Sequence, residues 1–211
     1  MIRISLKGLA KFMTGNSAKQ RKVLRDYKYP DPEGHAQATY YREARDFIVS
    51  HHQSGHSPLW LPERAAILDT LASQSAGQTK VRLRNNARAL REYANHFGKR
   101  TFKVLRDVNL GIEHAGVLVT FAPDLHIKEG EKEKIIRLDF TKEPPDDKTV
   151  KIITQAMFEA QATLGMGLPS AAVLYLDVPR GQTHKGARAG SRMRTEIEAA
   201  CKNISALWDG I

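Results

Sequence analysis

Two carboxylates and a guanidinium near the middle of the chain have the types and spacing to do chemistry together: Asp124, Arg137 and Asp139. Asp124 belongs to the run Val117 to Ile127. Alternation there puts Val119, Phe121, Pro123, Leu125 and Ile127 on one side of a strand and Thr120, Ala122, Asp124 and His126 on the other. In the next run, Lys134 to Thr141, Ile136, Leu138 and Phe140 take the apolar side and Arg137, Asp139 and Thr141 the polar side. The polar turn through Lys128-Glu129-Gly130-Glu131 predicts a hairpin, in which polar residues must oppose polar ones. Asp124 is therefore expected across from Arg137 or Asp139. Such a trio is either an exposed cross-strand ion pair, worth well under about 1 kcal/mol, or the centre of a charged site.

A second candidate is the stretch from Pro179 to Ser191, where Arg180, His184, Lys185 and Arg188 alternate with Gly181, Gly186 and Gly190. Glycines let backbone donors approach a phosphate, and the stretch leads into a helix N-terminus. It lacks the G-x-x-x-x-G-K-[ST] spacing of a nucleotide loop. A third is a row of cations. In the helical pattern from 79 to 97, Leu83, Ala87, Leu90, Ala94 and Phe97 form one stripe, and Lys80, Arg84, Arg88 and Arg91 gather on the opposite side. Like charges four residues apart cost a few tenths of a kcal/mol per pair. Either carboxylates from elsewhere in the fold or an external polyanion must offset that cost. His51, His52 and His56 have no nearby carboxylate to complete a metal set and read as residues capping a helix C-terminus.

The elements that must position these residues follow from periodicity. Residues 5 to 13 predict a short amphipathic helix stopped at Gly15-Asn16, within a basic segment that carries Arg3, Lys7, Lys11, Lys19, Arg21, Lys22, Arg25 and Lys28. Tyr29 to Gly34, with Pro30 and Pro32, is a connector. Helices follow over 36 to 52 and from Pro62, then the long helix to Phe97, closed by Gly98. Strands are expected from Thr101 to Leu110, Val117 to Ile127 and Lys134 to Thr141. A helix over 147 to 164, a doubly buried strand from Ala171 to Val178 and a C-terminal helix complete the order. The change near residue 100 separates a helical half from a sheet-forming half, and the expected organisation is a helical N-terminal region, 1 to 78, packed on an α/β core, 79 to 211, that begins with the long helix.

Composition bounds the function. The 211 residues hold 33 Lys and Arg against 23 Asp and Glu, a formal charge of +10. That excess concentrates polyanions near the surface without conferring specificity, so nucleic acid is the expected partner. The single cysteine, Cys201, excludes an internal disulfide and a cysteine-based zinc cluster. No run approaches the roughly 18 apolar residues of a membrane span, so cytoplasm is the expected compartment.

The order helix, three strands, helix, strand, helix, with Pro123-Asp124 on the second strand and a charged third strand, resembles the PD-(D/E)XK nuclease superfamily, the restriction-endonuclease-like fold, over roughly residues 80 to 208. The resemblance implies a divalent metal, Mg²⁺, held by Asp124 and a carboxylate on the next strand, with a lysine serving the attacking water. At the usual spacing that acid-x-lysine falls on Ile135-Ile136-Arg137, where no acid stands and arginine replaces lysine; Asp139 is the nearest acid. Two readings follow. One is a phosphodiesterase with Asp124, Asp139 and Arg137 at its centre. The other is a non-catalytic nucleic-acid-binding or protein-interaction module on the same scaffold. Both place nucleic-acid contacts at Lys80, Arg84, Arg88, Arg91, Arg180, Lys185 and Arg188, and both leave homo-oligomer formation open.

Overall fold

A computed structural model describes residues 1–30, 40–187 and 191–211 of the chain. It is a mixed α/β structure. β1 (Ile2–Ser5) leads into α1 (Leu6–Thr14) and α2 (Ser17–Lys28), and α3 (Arg42–Ser54), α4 (Trp60–Ser73) and α5 (Gly77–Phe97) follow. β2 (Lys103–Val104), β3 (Leu110–His114), β4 (Val117–Phe121), β5 (Leu125–Glu129) and β6 (Lys132–Asp139) come next. The chain then forms α6 (Asp147–Thr163), β7 (Val173–Asp177), β8 (Gln182–Lys185) and α7 (Ser191–Trp208). The connector expected at 29 to 34 lies mostly outside the described residues.

The strands make two sheets, one in the order β1-β4-β3 and one in the order β2-β5-β6-β7-β8. In the larger sheet β6 and β7 are parallel, and the other neighbours are antiparallel. Its two faces bury different apolar sets. Leu125, Ile127, Ile136, Leu138, Leu174 and Leu176 pack with α3, α4 and α5. Ile135, Val173 and Tyr175 pack with α1, α6, α7 and the smaller sheet. The larger sheet is thus the middle layer.

The expected strand from Val117 to Ile127 is broken in two, with β4 in one sheet and β5 in the other. Pro123 has no N–H to give a ladder. Asp124 restarts pairing by donating its N–H to the Ile136 carbonyl at 2.9 Å. The strand expected from Thr101 to Leu110 shrinks to two residues and pairs with the end of β5.

The first residues are not purely helical: β1 pairs in parallel with β4, Ile2 facing Val117. The basic segment after it is a helix, started where Asn16 accepts the Lys19 N–H at 3.0 Å. The two are locked together. Ser5 accepts the Gly8 N–H at 3.1 Å, capping α1, and its Oγ hydrogen-bonds the Tyr27 hydroxyl of α2. Gly8 makes room for this ring, since a Cβ there would stand 2.6 Å from a Tyr27 ring carbon. At the far end of α2, Lys28 donates to the Trp208 carbonyl at 2.7 Å. The N-terminal cations therefore sit on a fixed surface.

On the opposite side of the sheet Asn86, fully buried, joins α3 to α5. It accepts the Ala44 N–H at 2.9 Å and donates to the Tyr40 and Arg82 carbonyls at 2.7 and 2.9 Å. His51 and His52 do not act as helix caps. Both are buried, His51 Nε2 lying 3.2 Å from the Gly98 carbonyl and His52 Nε2 2.8 Å from the Tyr93 hydroxyl. Burial, with His51 and Arg100 nearby, holds the pKa of His52 down to about 3.

Two outcomes follow. Asn86→Ala strands the Ala44 N–H and the Tyr40 carbonyl and lowers unfolding stability by about 2 to 3 kcal/mol, read from a urea transition. His52 must stay neutral to fold, so its contribution is complete above its unfolded pKa of about 6.5 and fades as pH falls toward 3. His52→Gln flattens the fall in melting temperature across that window.

Candidate functional site

The parallel strands β6 and β7 end together at one edge of the middle layer, where α/β sheets leave a crevice for ligands. Register decides which side chains share it. Arg137 faces Tyr175 and Asp139 faces Asp177, and all four point toward the α1 and α6 side, on which Ile135 and Val173 are buried. Asp124, at the entrance to β5, completes the group.

Asp124 is the most enclosed member that also touches two cations. Its side chain is 5% exposed. One oxygen lies 2.7 Å from Arg45 Nε; the other lies 3.3 Å from Arg137 Nη1 and accepts the Leu138 N–H at 2.7 Å. Arg45 comes from α3, on the far side of the sheet, and reaches past the Phe140 ring with its guanidinium carbon 5.9 Å from the centroid. The pair of Asp124 and Arg137 is therefore enclosed, where an exposed one was expected.

Asp139 is equally committed. It accepts from the Thr141 N–H at 3.0 Å, the Thr141 hydroxyl at 2.9 Å and the Tyr175 hydroxyl at 2.6 Å. Burial, then the Asp139 charge, push the Tyr175 hydroxyl far above its ordinary pKa, so it stays a donor. Asp177, 1% exposed, holds Arg180, whose Nη1 lies 3.0 Å from both carboxylate oxygens. The other Arg180 nitrogen donates to the Lys142 carbonyl.

Lys7 of α1 closes the group from above. Partial burial and then Lys11 lower the pKa of its ammonium; Asp139 acts the other way, and Arg137 and Arg45 add to the lowering. Three cations, Arg45, Arg137 and Arg180, thus pair with Asp124 and Asp177, Asp139 is held by hydroxyls and an N–H, and Lys7 and Lys11 stand alongside with no carboxylate partner among the described residues. The carboxylates hold the cations in place, and the surplus is positive.

That charge balance bears on the Mg²⁺ implied by the family resemblance. A divalent ion wants carboxylate oxygens free of strong donors. Here both Asp124 oxygens are on guanidinium groups or an N–H, and both Asp139 oxygens are taken by hydroxyls or an N–H. Among the described residues no group of three or more His, Cys, Asp or Glu is placed to hold a metal ion. Asp124 and Asp139 in this arrangement do not fit a hard cation.

The remaining expected cations separate. In the row on α5, Arg88 pairs with Glu92 at 3.0 Å and Arg91 with Asp69 of α4. Lys80 and Arg84 have no carboxylate partner among the described residues. The stretch from Pro179 to Ser191 is not one loop: residues 182 to 185 are β8, with Arg180 before it and Lys185 at the far end of the hairpin, opposite Leu174. Arg188 lies outside the described residues. Lys7, Arg45, Tyr175 and Asp177 are the members that sequence reasoning missed. An aspartate closing the otherwise apolar Val173 to Val178 run was the one visible signal.

Compared with known proteins, the chain matches no family model and no curated protein. Among the described residues no helix is long and apolar enough to cross a membrane.

Asp124→Ala leaves Arg45 and Arg137 facing each other without a counter-ion and costs about 3 kcal/mol of unfolding stability. A chemical denaturation series checks this, and Asp124→Ala combined with Arg45→Met recovers part of the loss, because one stranded charge goes with it.

Proposed function

We propose that the protein binds nucleic acid through the basic surface of β1, α1 and α2, continued by Lys7, Arg45 and Arg137 at the strand ends, and that it does so without a bound metal. One observation carries this reading. Arg3, Lys7, Lys11, Lys19, Arg21, Lys22 and Arg25 are all exposed, and none has a carboxylate partner among the described residues. The α5 row, by contrast, is half neutralised by Glu92 and Asp69.

Geometry makes the surface usable. At 100° per residue, Arg21, Lys22 and Arg25 fall within about 100° of arc on α2, an arc that begins about 60° from buried Leu24. Tyr27 ties that arc to Ser5 at the start of α1, and Lys28 ties it to the end of α7. Cations held in place lose little entropy when they meet a phosphate, and each neutralised phosphate releases a counterion.

The scaffold part of the proposal is a nuclease-like core that has turned to binding. It is supported by the order α5, β2, β5, β6, α6, β7, with Pro123-Asp124 entering β5 beside the C-terminal half of β6. The smaller sheet is an addition to that order. The proposal assigns Asp124 the work of holding Arg45 and Arg137 in place of a metal.

Fluorescence anisotropy with labelled duplex and single-stranded oligonucleotides tests it. Binding weakens steeply between about 50 and 200 mM salt and is unchanged by a chelator. Reversing Arg21, Lys22 and Arg25 to Glu weakens binding at least tenfold and flattens the salt slope by about 2 to 3. Absence of binding at low salt, or an unaffected triple variant, contradicts the proposal. Cleaved product that appears only with Mg²⁺ restores the hydrolytic reading, and recovery of an acidic protein partner in place of nucleic acid supports the interaction module.

A further inference from the structure

A second site stands at the other end of the middle layer. α5 stops at Phe97, short of the start of β6 and the end of β8, and leaves a half-open cleft of about 730 Å³. That volume suits a small molecule. Register explains its lining: Ile136 faces Leu174, and Leu174 faces Lys185, so Lys134, Leu174 and Lys185 point to the same side. Phe97, Leu174 and Pro169 give an apolar floor and wall, and the rim carries Arg100, Lys132, Lys134 and Lys185.

The rim has more positive charge than its own carboxylates can neutralise. Glu129 accepts from Arg100 through two bonds of 2.9 Å and from Lys134 as well, and these cations hold its pKa down to about 2. Glu133, which also lines the cleft, lies 2.7 Å from His126 Nε2. Lys132 and Lys185 are exposed, with no carboxylate partner among the described residues. An apolar floor below two unpaired ammonium groups calls for a ligand with a flat apolar body and an anionic end. A long alkyl chain needs an enclosed tunnel, whereas a ring can lie against a short open floor.

We infer that this cleft binds a nucleoside phosphate, its base against Phe97, Pro169 and Leu174 and its phosphate between Lys132 and Lys185. The inference does not rest on the α2 surface. The same chemistry is presented by a free nucleotide and by the terminal nucleotide of a strand, and the two are told apart by whether the cleft lysines matter to a 5′-phosphorylated strand.

Calorimetric titration of the full chain with adenosine 5′-monophosphate, adenosine and inorganic phosphate tests it. Adenosine 5′-monophosphate is expected to bind at one site, with adenosine and phosphate each at least tenfold weaker. The Lys132→Ala/Lys185→Ala variant loses that binding at unchanged melting temperature, and Ala171→Trp, which fills the cleft from an exposed position, loses it too. Reversal of Arg21, Lys22 and Arg25 leaves mononucleotide binding intact, so failure of the nucleic-acid reading does not take this one with it. If Lys132→Ala/Lys185→Ala also weakens a 5′-phosphorylated oligonucleotide and leaves the same strand with a 5′-hydroxyl unchanged, the strand end is the source; if it weakens the mononucleotide alone, it is the free nucleotide. No binding of adenosine 5′-monophosphate at millimolar concentration, equal binding of adenosine, or full binding by the double lysine variant overturns the inference.

Discussion

Asp124, closed off from water with Arg45 on one oxygen and Arg137 on the other, sets the sign of the strand-end site. A lone buried carboxylate is expensive, and two half-buried guanidinium groups side by side are too. Together they are tolerable, and the arrangement draws three distant parts of the chain to one point. α3 supplies Arg45, β6 supplies Arg137 and the Leu138 N–H, and the break between β4 and β5 supplies Asp124 itself. The break and the charge cluster are one feature, because Pro123 ends the first ladder and Asp124 starts the second.

Around that point the fold sorts its positive charge into two kinds. Cations on α5 and next to β8 are largely spent inside the molecule: Arg82 on Glu43, Arg88 on Glu92, Arg91 on Asp69, Arg180 on Asp177. Cations on β1, α1 and α2 have no such partners among the described residues, and the C-terminal end of α2 is anchored by Tyr27 to Ser5 and by Lys28 to the Trp208 carbonyl. Rigid support combined with missing counter-ions is what the proposed binding of nucleic acid rests on.

The regular helices were legible. The stripe from Leu83 to Phe97, the run from Val150 and the C-terminal pattern from Met193 gave α5, α6 and α7 within a few residues, because apolar spacing of 3.6 survives almost any context. β6 and β7 were legible for the analogous reason. β1 was hidden because Ile2 and Ile4 flank a charged residue and find their partner, β4, more than a hundred residues away. The division of Val117 to Ile127 between two sheets was hidden because alternation continues smoothly through Pro123. Of the site, Asp124 with Arg137 was visible as a hairpin neighbour pair. Arg45 and Lys7 were not, since tertiary packing alone brings α3 and α1 there. The cation row on α5 was read as a local cost that carboxylates elsewhere or an external anion must offset. Glu92, four residues after Arg88, offered half of its answer, and Asp69 on the preceding helix gave a part that local spacing does not reveal.

The central claim is that Asp124 and Asp139 serve as counter-ions and not as metal ligands. Titrating the chain with Mn²⁺ and following the paramagnetic broadening of amide signals at residues 124, 138 and 139 tests it most directly. The account predicts no saturable broadening there below millimolar Mn²⁺. A saturable site at micromolar Mn²⁺, abolished by Asp124→Asn, contradicts it.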